Sequence, residues 1–245
     1  MDPMWVDDSG GDGIPVVLLH PGWGDSAVWE PLLELLPDHV RTIRFDTRGH
    51  GRSAAPTVPF SVYDDLLAVL EHCEVDEAVF VGNSGGAATA LSLAVAEPER
   101  VAGLVLVSPG VSDYPWDFDD PYFARFGALY DKRDIEALLD LGRETWARSG
   151  TSDAVEAQLL SGVQAMLSQD GFAEADPPAY ESLGAIEAPA AVLIGDLDHP
   201  LVTECAIEVA GRIPGCRLVT VPGADHLLPL RAPEILARVV VEIRG

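Results

Sequence analysis

Six short runs of strand-forming residues alternate with segments of helical spacing along this chain of 245 residues. The runs are PVVLLH (15–20), VRTIRF (40–45), AVFVG (78–82), LVLVS (104–108), AAVLIG (190–195) and RLVTV (217–221). Strands that are apolar throughout are typical of a mainly parallel sheet whose two faces are both covered by helices. Between the runs, residues 60–73 and 233–243 carry apolar side chains at helical spacing. The alternation therefore predicts a doubly wound α/β domain.

One interval is too long for an ordinary crossover connection. About 80 residues separate the fourth run from the fifth, whereas connections in such domains are usually much shorter. The interval contains three segments of helical pattern, 121–130, 134–150 and 153–169. We therefore expect a helical cap over residues 111–185, inserted into a core domain that is formed by residues 1–110 and 186–245.

The net charge of the chain indicates which classes of partner it would repel. Aspartate and glutamate outnumber lysine and arginine by 40 to 15, which gives a formal net charge of -25. Such a charge repels the phosphates of nucleic acid and anionic membrane surfaces, so we expect neither as a partner. No apolar run approaches the roughly 20 residues that span a bilayer, and the acidic N-terminus does not resemble a secretory signal. We therefore expect a cytoplasmic protein.

The stretch GNSGG (82–86) follows the third run and precedes a segment compatible with a helix. Gly82 and Gly86 flank Ser84 as Gly-x-Ser-x-Gly, and side chains at these two positions of a sharp turn would collide with the neighbouring strand and helix. The turn also places the amide of Gly85 to donate to a developing oxyanion. Ser84 is therefore a candidate nucleophile. A phosphate-binding loop is disfavoured, because the motif matches neither common glycine-rich phosphate pattern.

A serine nucleophile needs a base that takes its proton and a carboxylate that orients the base. Asp196 and Asp198 follow the fifth run, and His226 lies in the loop after the sixth. The order serine, aspartate, histidine is that of the α/β-hydrolases.

The chain resembles the α/β-hydrolase superfamily along nearly its whole length. HPGWGDSAVW (20–29) and FDTRGHGRS (45–53) are similar to the branch that includes 3-oxoadipate enol-lactonases and related bacterial esterases. The resemblance implies an α/β-hydrolase fold and cleavage of a small ester or lactone through an acyl-enzyme, without a metal or organic cofactor. It implies Asp198 as the acid, three residues after the strand-ending glycine, with Asp196 as a turn residue and His226 as the base.

The resemblance also implies the rest of the site. It implies a second oxyanion donor in the loop after the first run, at the amide of Gly22, with Trp23 as the neighbouring alternative. The side chain of Trp23 could equally form a wall of the substrate pocket. Cap aromatics and the asparagine beside the nucleophile complete the expected pocket: Asn83, Trp116, Phe123, Phe126 and Trp146.

Two departures from the family pattern leave the reaction open. Gly85 stands where many relatives have methionine, and His-Pro-Gly replaces the commoner His-Gly opening. Asn83 makes the motif similar to that of carbon–carbon bond hydrolases, although the loop after the first run lacks their glycine- and proline-rich stretch. Cofactor-free haloperoxidases and perhydrolases, lyases and natural-product cyclases use the same triad, and some relatives are hormone-receptor-like binding modules. These remain the alternatives to an ester or lactone hydrolase.

Overall fold

Residues 4–245 are described by a computed structural model, and within them seven strands form a single sheet. The strands are β1 (Val6–Asp8), β2 (Val16–Leu19), β3 (Thr42–Phe45), β4 (Ala78–Asn83), β5 (Val101–Val107), β6 (Ala190–Gly195) and β7 (Arg217–Val221). Their order across the sheet is β1-β3-β2-β4-β5-β6-β7, and only β1 pairs in the antiparallel sense, with β3. The six predicted strands and the α/β-hydrolase fold are confirmed. The edge strand β1 was missed because a strand of three residues with two aspartates forms no apolar run.

Helices cover both faces of the sheet. They are α1 (Glu30–Leu33), α2 (Val62–His72), α3 (Gly85–Ala96), α4 (Pro121–Asp131), α5 (Ile135–Trp146), α6 (Asp153–Ser168), α7 (Pro200–Arg212), α8 (Leu228–Arg231) and α9 (Pro233–Arg244). The segment predicted as helix over 134–150 stops at Trp146, before Gly150 with its φ of 104°. Within residues 4–245, no helix has both the length and the apolar character that crossing a membrane requires. The cytoplasmic location stays a prediction.

The strands alternate their side chains between two apolar layers. Val16 and Leu18 belong to the layer that contains Leu236 of α9. Val17 and Leu19 belong to the opposite layer, which contains Leu91 of α3. All four side chains of β2 are buried, because helices cover both faces of a mainly parallel sheet. This double burial is the physical origin of the continuous apolar runs in the sequence.

Helices α4, α5 and α6 follow one another between β5 and β6, in the interval where helices were expected. Helix α5 packs against both of its neighbours. Gln158 of α6 connects these helices to the loop after β2 through two hydrogen bonds of 2.9 Å. Its Oε1 accepts the amide of Asp25, and its Nε2 donates to the Asp25 carboxylate. The division into a core and a cap of residues 111–185 stays a prediction.

Candidate active site

Ser84 is the single residue between the end of β4 and the start of α3. Its φ of 55° and ψ of -114° lie in a region that residues other than glycine rarely adopt. Two hydrogen bonds to β5 and the loop after it hold this geometry: the Ser84 amide donates to Val107 O over 2.9 Å, and Gly110 N donates to Ser84 O over 3.2 Å. Ser84 is thereby fixed at the carboxyl end of β4 and is only partly buried.

The glycines on either side of Ser84 are required by backbone contacts. A Cβ atom on Gly82 would lie 2.5 Å from the amide nitrogen of Ala87 in α3, and one on Gly86 would lie 2.2 Å from Leu19 O in β2. Both contacts are with main-chain atoms, which cannot rotate away as a side chain can. The collisions with helix and strand that the sequence predicted are therefore present.

His226 and Asp198 come together where β6 and β7 end side by side. The Nδ1 atom of His226 lies 3.1 Å from each carboxylate oxygen of Asp198. Both residues are buried, with 1% and 4% of their surface exposed. The loops that carry them are joined by a hydrogen bond from Leu197 N to Ala224 O of 3.0 Å. A buried carboxylate at this distance holds the ring in one orientation with its Nδ1–H toward the acid.

The two aspartates after β6 have different surroundings. Burial alone would raise the pKa of Asp198, but His226, Ser108 and the His199 amide stabilise its carboxylate, and the net effect is a lowered pKa. Asp198 is therefore ionised at neutral pH, as a residue that supports an imidazolium must be. Asp196 is exposed, and its carboxylate accepts the amide of Gly223 over 2.6 Å. Asp196 thus joins the turn after β6 to the turn after β7 and makes no hydrogen bond with His226.

Ser84 and His226 line one cavity of about 190 Å³. The ring of Trp146 stands against His226, with 4.5 Å between their centroids. The other lining residues are mostly apolar or aromatic: Trp23, Pro109, Gly110, Trp116, Tyr122, Phe123, His199, Leu201 and Val202. Three of the expected pocket residues, Trp116, Phe123 and Trp146, are thus found on its wall together with Trp23.

Two residues expected in the pocket lie outside this cavity. Asn83 is completely buried, and its Nδ2 donates to Val107 O over 3.1 Å and to His226 O over 3.4 Å. It connects β5 and the histidine loop and does not line the cavity. Phe126 lies one helical turn beyond Tyr122 and stacks on it at 5.9 Å. Its ring therefore packs behind the wall that Tyr122 forms.

Sequence reasoning missed six lining residues: Pro109, Gly110, Tyr122, His199, Leu201 and Val202. The Nδ1 atom of His199 accepts the amide of Leu201 over 3.3 Å at the start of α7. The same ring nevertheless faces the cavity, 5.9 Å from the rings of both Tyr122 and Trp146. The available signals were the position of His199 directly after Asp198 and that of Tyr122 directly before Phe123.

The candidate oxyanion donors come from two loops. A Cβ atom on Gly85 would lie 3.9 Å from Gly22 N, so the loop after β2 passes beside the start of α3. Within residues 4–245, the amides of Gly22, Trp23 and Gly85 donate no hydrogen bond to the protein. All three remain available to a ligand oxygen. Gly22 is exposed, whereas Trp23 is 7% exposed and packs with its ring 6.3 Å from that of Trp146.

The chain is similar to known proteins both in sequence and in structure. In sequence, the chain is 30% identical over 237 residues to the candidate carbamate hydrolase RutD of Caulobacter segnis, covering 92% of this chain and 79% of that one. In structure, it is similar to Est816, described as an N-acyl homoserine lactone degrading enzyme, with a TM-score of 0.77, 27% identity and coverage of 98% and 96%.

The enol-lactonase of Burkholderia xenovorans LB400 shares the fold, with a TM-score of 0.73 at 22% identity and coverage of 98% and 95%. The model of the alpha/beta hydrolase family matches residues 16–239, which is nearly the whole chain. These matches confirm the resemblance that the motifs indicated. The chain belongs to the alpha/beta hydrolase family and is an enzyme of the hydrolase class.

Proposed function

We propose that this chain is a serine hydrolase that cleaves a small carboxylic ester or lactone through an acyl-enzyme intermediate. The observation that carries the proposal is the shared cavity of Ser84 and His226, with the Nδ1 atom of His226 3.1 Å from Asp198. The serine stands in strained backbone geometry at the start of a helix, and the histidine is oriented by an ionised carboxylate. This is the arrangement that activates a serine hydroxyl as a nucleophile.

In the first half of the reaction, Ser84 Oγ attacks the carbonyl carbon while His226 Nε2 takes the hydroxyl proton. The carbonyl oxygen becomes an oxyanion, which accepts hydrogen bonds from the amides of Gly85 and Gly22, with Trp23 as the alternative to Gly22. When the carbon–oxygen bond to the leaving group breaks, His226 returns the proton to the leaving oxygen. The acyl group then remains on Ser84 as an ester.

In the second half, His226 removes a proton from water, and the resulting hydroxide equivalent attacks the acyl carbon. Collapse of the second tetrahedral intermediate breaks the bond to Ser84 Oγ, which recovers its proton from His226. Asp198 stabilises the positive charge on the imidazole in both halves without accepting the proton itself. The two halves together convert one ester and one water molecule into one acid and one alcohol. Every proton transfer passes through the side chain of His226.

The test is a panel of short-chain p-nitrophenyl esters and small lactones, assayed with the wild type and with Ser84→Ala. We expect turnover by the wild type and a loss of at least about a thousandfold in the variant, because the nucleophile is gone. Labelling with a fluorophosphonate, followed by peptide mass spectrometry, should place the adduct on Ser84.

A folded Ser84→Ala variant is confirmed by an unchanged melting temperature, which separates loss of chemistry from loss of structure. Absence of wild-type turnover over the whole panel, together with no label on Ser84, would overturn the proposed function. A label without turnover of esters or lactones would keep the nucleophile but reject the substrate class.

A further inference from the structure

A second cavity, of about 430 Å³, lies beside the start of α3, next to the candidate nucleophile. Gly22 and Gly85, the candidate oxyanion donors, both line it, and Trp116 lines both cavities. Ser84 and His226 are among the residues that line the smaller cavity only. A substrate whose carbonyl group binds at Ser84 and at the oxyanion donors would therefore border both cavities.

The wall of the second cavity is acidic. Asp113, Glu174 and Asp176 line it, whereas no lysine or arginine of residues 4–245 lines either cavity. The carboxylate of Asp176 accepts Tyr63 N over 2.9 Å and Thr89 Oγ1 over 2.5 Å, so that it is held in place. These two hydrogen bonds do not neutralise its charge.

The other two carboxylates have no compensating cation. Asp113 and Glu174 are exposed, and neither forms an ion pair within residues 4–245. The nearby cation Arg48 does not line the cavity, and its Nη2 lies 2.7 Å from Asp65 in a buried ion pair. A substrate carboxylate in this cavity would meet like charges and no counter-ion, which is electrostatically unfavourable.

His50 adds a neutral acceptor to the same wall. The residue is 97% buried, and its Nδ1 donates to Gly24 O over 2.7 Å, which leaves Nε2 with a lone pair and no partner within residues 4–245. Because burial lowers the pKa of His50 to about 3, the ring is neutral at physiological pH. An acceptor of this kind is satisfied only by an N–H or O–H group of a ligand or by water.

The position of His226 indicates which part of a substrate each cavity takes. A general acid must lie within hydrogen-bond reach of the leaving oxygen, and His226 lines the apolar cavity of about 190 Å³. The leaving alcohol therefore belongs on that side. The acyl chain then extends past Gly22 and Gly85 into the acidic cavity.

We propose that the cavity of about 430 Å³ binds the acyl part of the substrate, and that this part is cationic or neutral with N–H or O–H donors and carries no carboxylate. The inference rests on the proposed ester hydrolysis and narrows its substrate class. An ammonium, amide or hydroxyl group would pair with Glu174, Asp113 and the free nitrogen of His50.

Three benzyl esters of equal length provide the test: benzyl 6-aminohexanoate, benzyl heptanoate and monobenzyl pimelate. They share the leaving group and differ only in the end of the acyl chain, which is cationic, apolar or anionic. We expect kcat/KM to fall in that order, with at least about a tenfold difference between the amino ester and the half ester of pimelate. The separation should shrink at high salt as the charges are screened.

The double variant Asp113→Asn/Glu174→Gln removes two charges without changing the shape of the wall. We expect it to reduce the ratio of kcat/KM between the amino ester and the pimelate half ester by about tenfold. The matched control is Glu34→Gln/Asp38→Asn, which changes the net charge equally at two exposed residues that line neither cavity. The control should leave the ratio as it is in the wild type, which separates a local contact from the field of the whole acidic protein.

Two failures can be told apart. If benzyl heptanoate is not hydrolysed and Ser84 is not labelled by a fluorophosphonate, the proposed function itself fails. If benzyl heptanoate is hydrolysed but the pimelate half ester reacts as fast as the amino ester, only the acidic acyl cavity is overturned. The same holds if the double variant, with an unchanged melting temperature, and its control shift the ratio equally.

Discussion

The carboxyl edge of the sheet and the helices α4–α6 above it are built by different kinds of contact. At the sheet edge, main-chain atoms approach closely, as where Gly86 passes Leu19 O. In the helices, the contacts are between side-chain rings, such as those of Tyr122 and Trp146, whose centroids lie 5.2 Å apart. A close main-chain contact allows only one arrangement without a clash, whereas packed side-chain rings can rearrange when one of them is removed. We therefore expect substitutions at the sheet edge to have much larger effects than substitutions in helices α4–α6.

The largest effect is expected from Asp198→Asn, which we predict to lower kcat by about 10⁴-fold. The variant keeps the shape of the side chain but removes the charge that supports the imidazolium and reverses the preferred tautomer of His226. Steady-state rates on a p-nitrophenyl ester, together with the rate of fluorophosphonate labelling, measure this loss.

Asp196→Asn is the matched control, two residues away at the end of the same strand. It should keep most of the activity, since Asp196 bonds Gly223 N and not His226. The reverse ranking of the two variants would show that the acid has been assigned to the wrong aspartate.

The next effect is on stability and concerns the glycines of the turn. We predict that Gly86→Ala lowers the free energy of unfolding by about 3 kcal/mol, because its Cβ would lie 2.2 Å from a carbonyl oxygen that cannot move freely. At Gly85, the nearest atom to an added Cβ is 3.9 Å away, so Gly85→Ala should change the free energy of unfolding by less than about 1 kcal/mol. Urea unfolding of both variants decides the point, and equal losses would contradict the steric explanation.

The same contrast explains what the sequence could predict. The turn at Ser84 was indicated by local sequence, because the strand-forming run, the two glycines and the following helical segment adjoin one another in the chain. The atoms that the turn contacts, such as Leu19 O, belong to distant segments. His226 followed from its order after the strands. The choice between Asp198 and Asp196 needed the family resemblance, because both aspartates follow the same strand.

The residues that the sequence did not predict correctly depend on contacts between distant segments. Asn83 was placed in the pocket, but a hydrogen bond to His226 O, 143 residues further along the chain, holds its side chain in the interior. Phe123 and Phe126 look alike on α4, and only the way this helix packs on α5 decides which ring reaches the cavity. His199 lines the cavity because the turn after β6 meets α4 and α5 there, at Tyr122 and Trp146. Hydrophobic spacing within one helix carries no information of this kind.

A smaller effect on stability is expected from His50, which lies in loop 46–53, where this loop meets α6 and the segment after it. His50 is buried and neutral in the folded state, with a pKa lowered to about 3, whereas an unfolded histidine binds a proton near pH 6.5. Below pH 6.5 the unfolded state therefore binds the extra proton, and stability falls with decreasing pH until about pH 3. Between pH 7.5 and 5 the loss should reach about 2 kcal/mol for this residue, at about 1.4 kcal/mol per pH unit below the unfolded pKa.

His50→Gln keeps a donor for Gly24 O but cannot take up a proton in either state. We therefore expect the free energy of unfolding, measured in urea, to fall between pH 7.5 and pH 5 by about 2 kcal/mol less in the variant than in the wild type. Comparing the two proteins cancels the contribution of all other ionisable groups. Parallel pH dependences would show that His50 is accessible to protons in the folded state.

The smallest effect is expected in α4, where two phenylalanines form a matched pair. Both are partly exposed, but only Phe123 lines the cavity with Ser84, while Phe126 packs against Trp23 and Tyr122. We predict that Phe123→Ala lowers kcat/KM for a benzyl ester about fivefold, through KM, because apolar contact area with the alcohol is lost. Phe126→Ala should change KM by less than about twofold, since its ring packs against protein rings and does not line the cavity. A larger loss in Phe126→Ala, or a loss in Phe123→Ala comparable with that of Asp198→Asn, would mean that α4 positions the reacting groups and does not merely line the cavity.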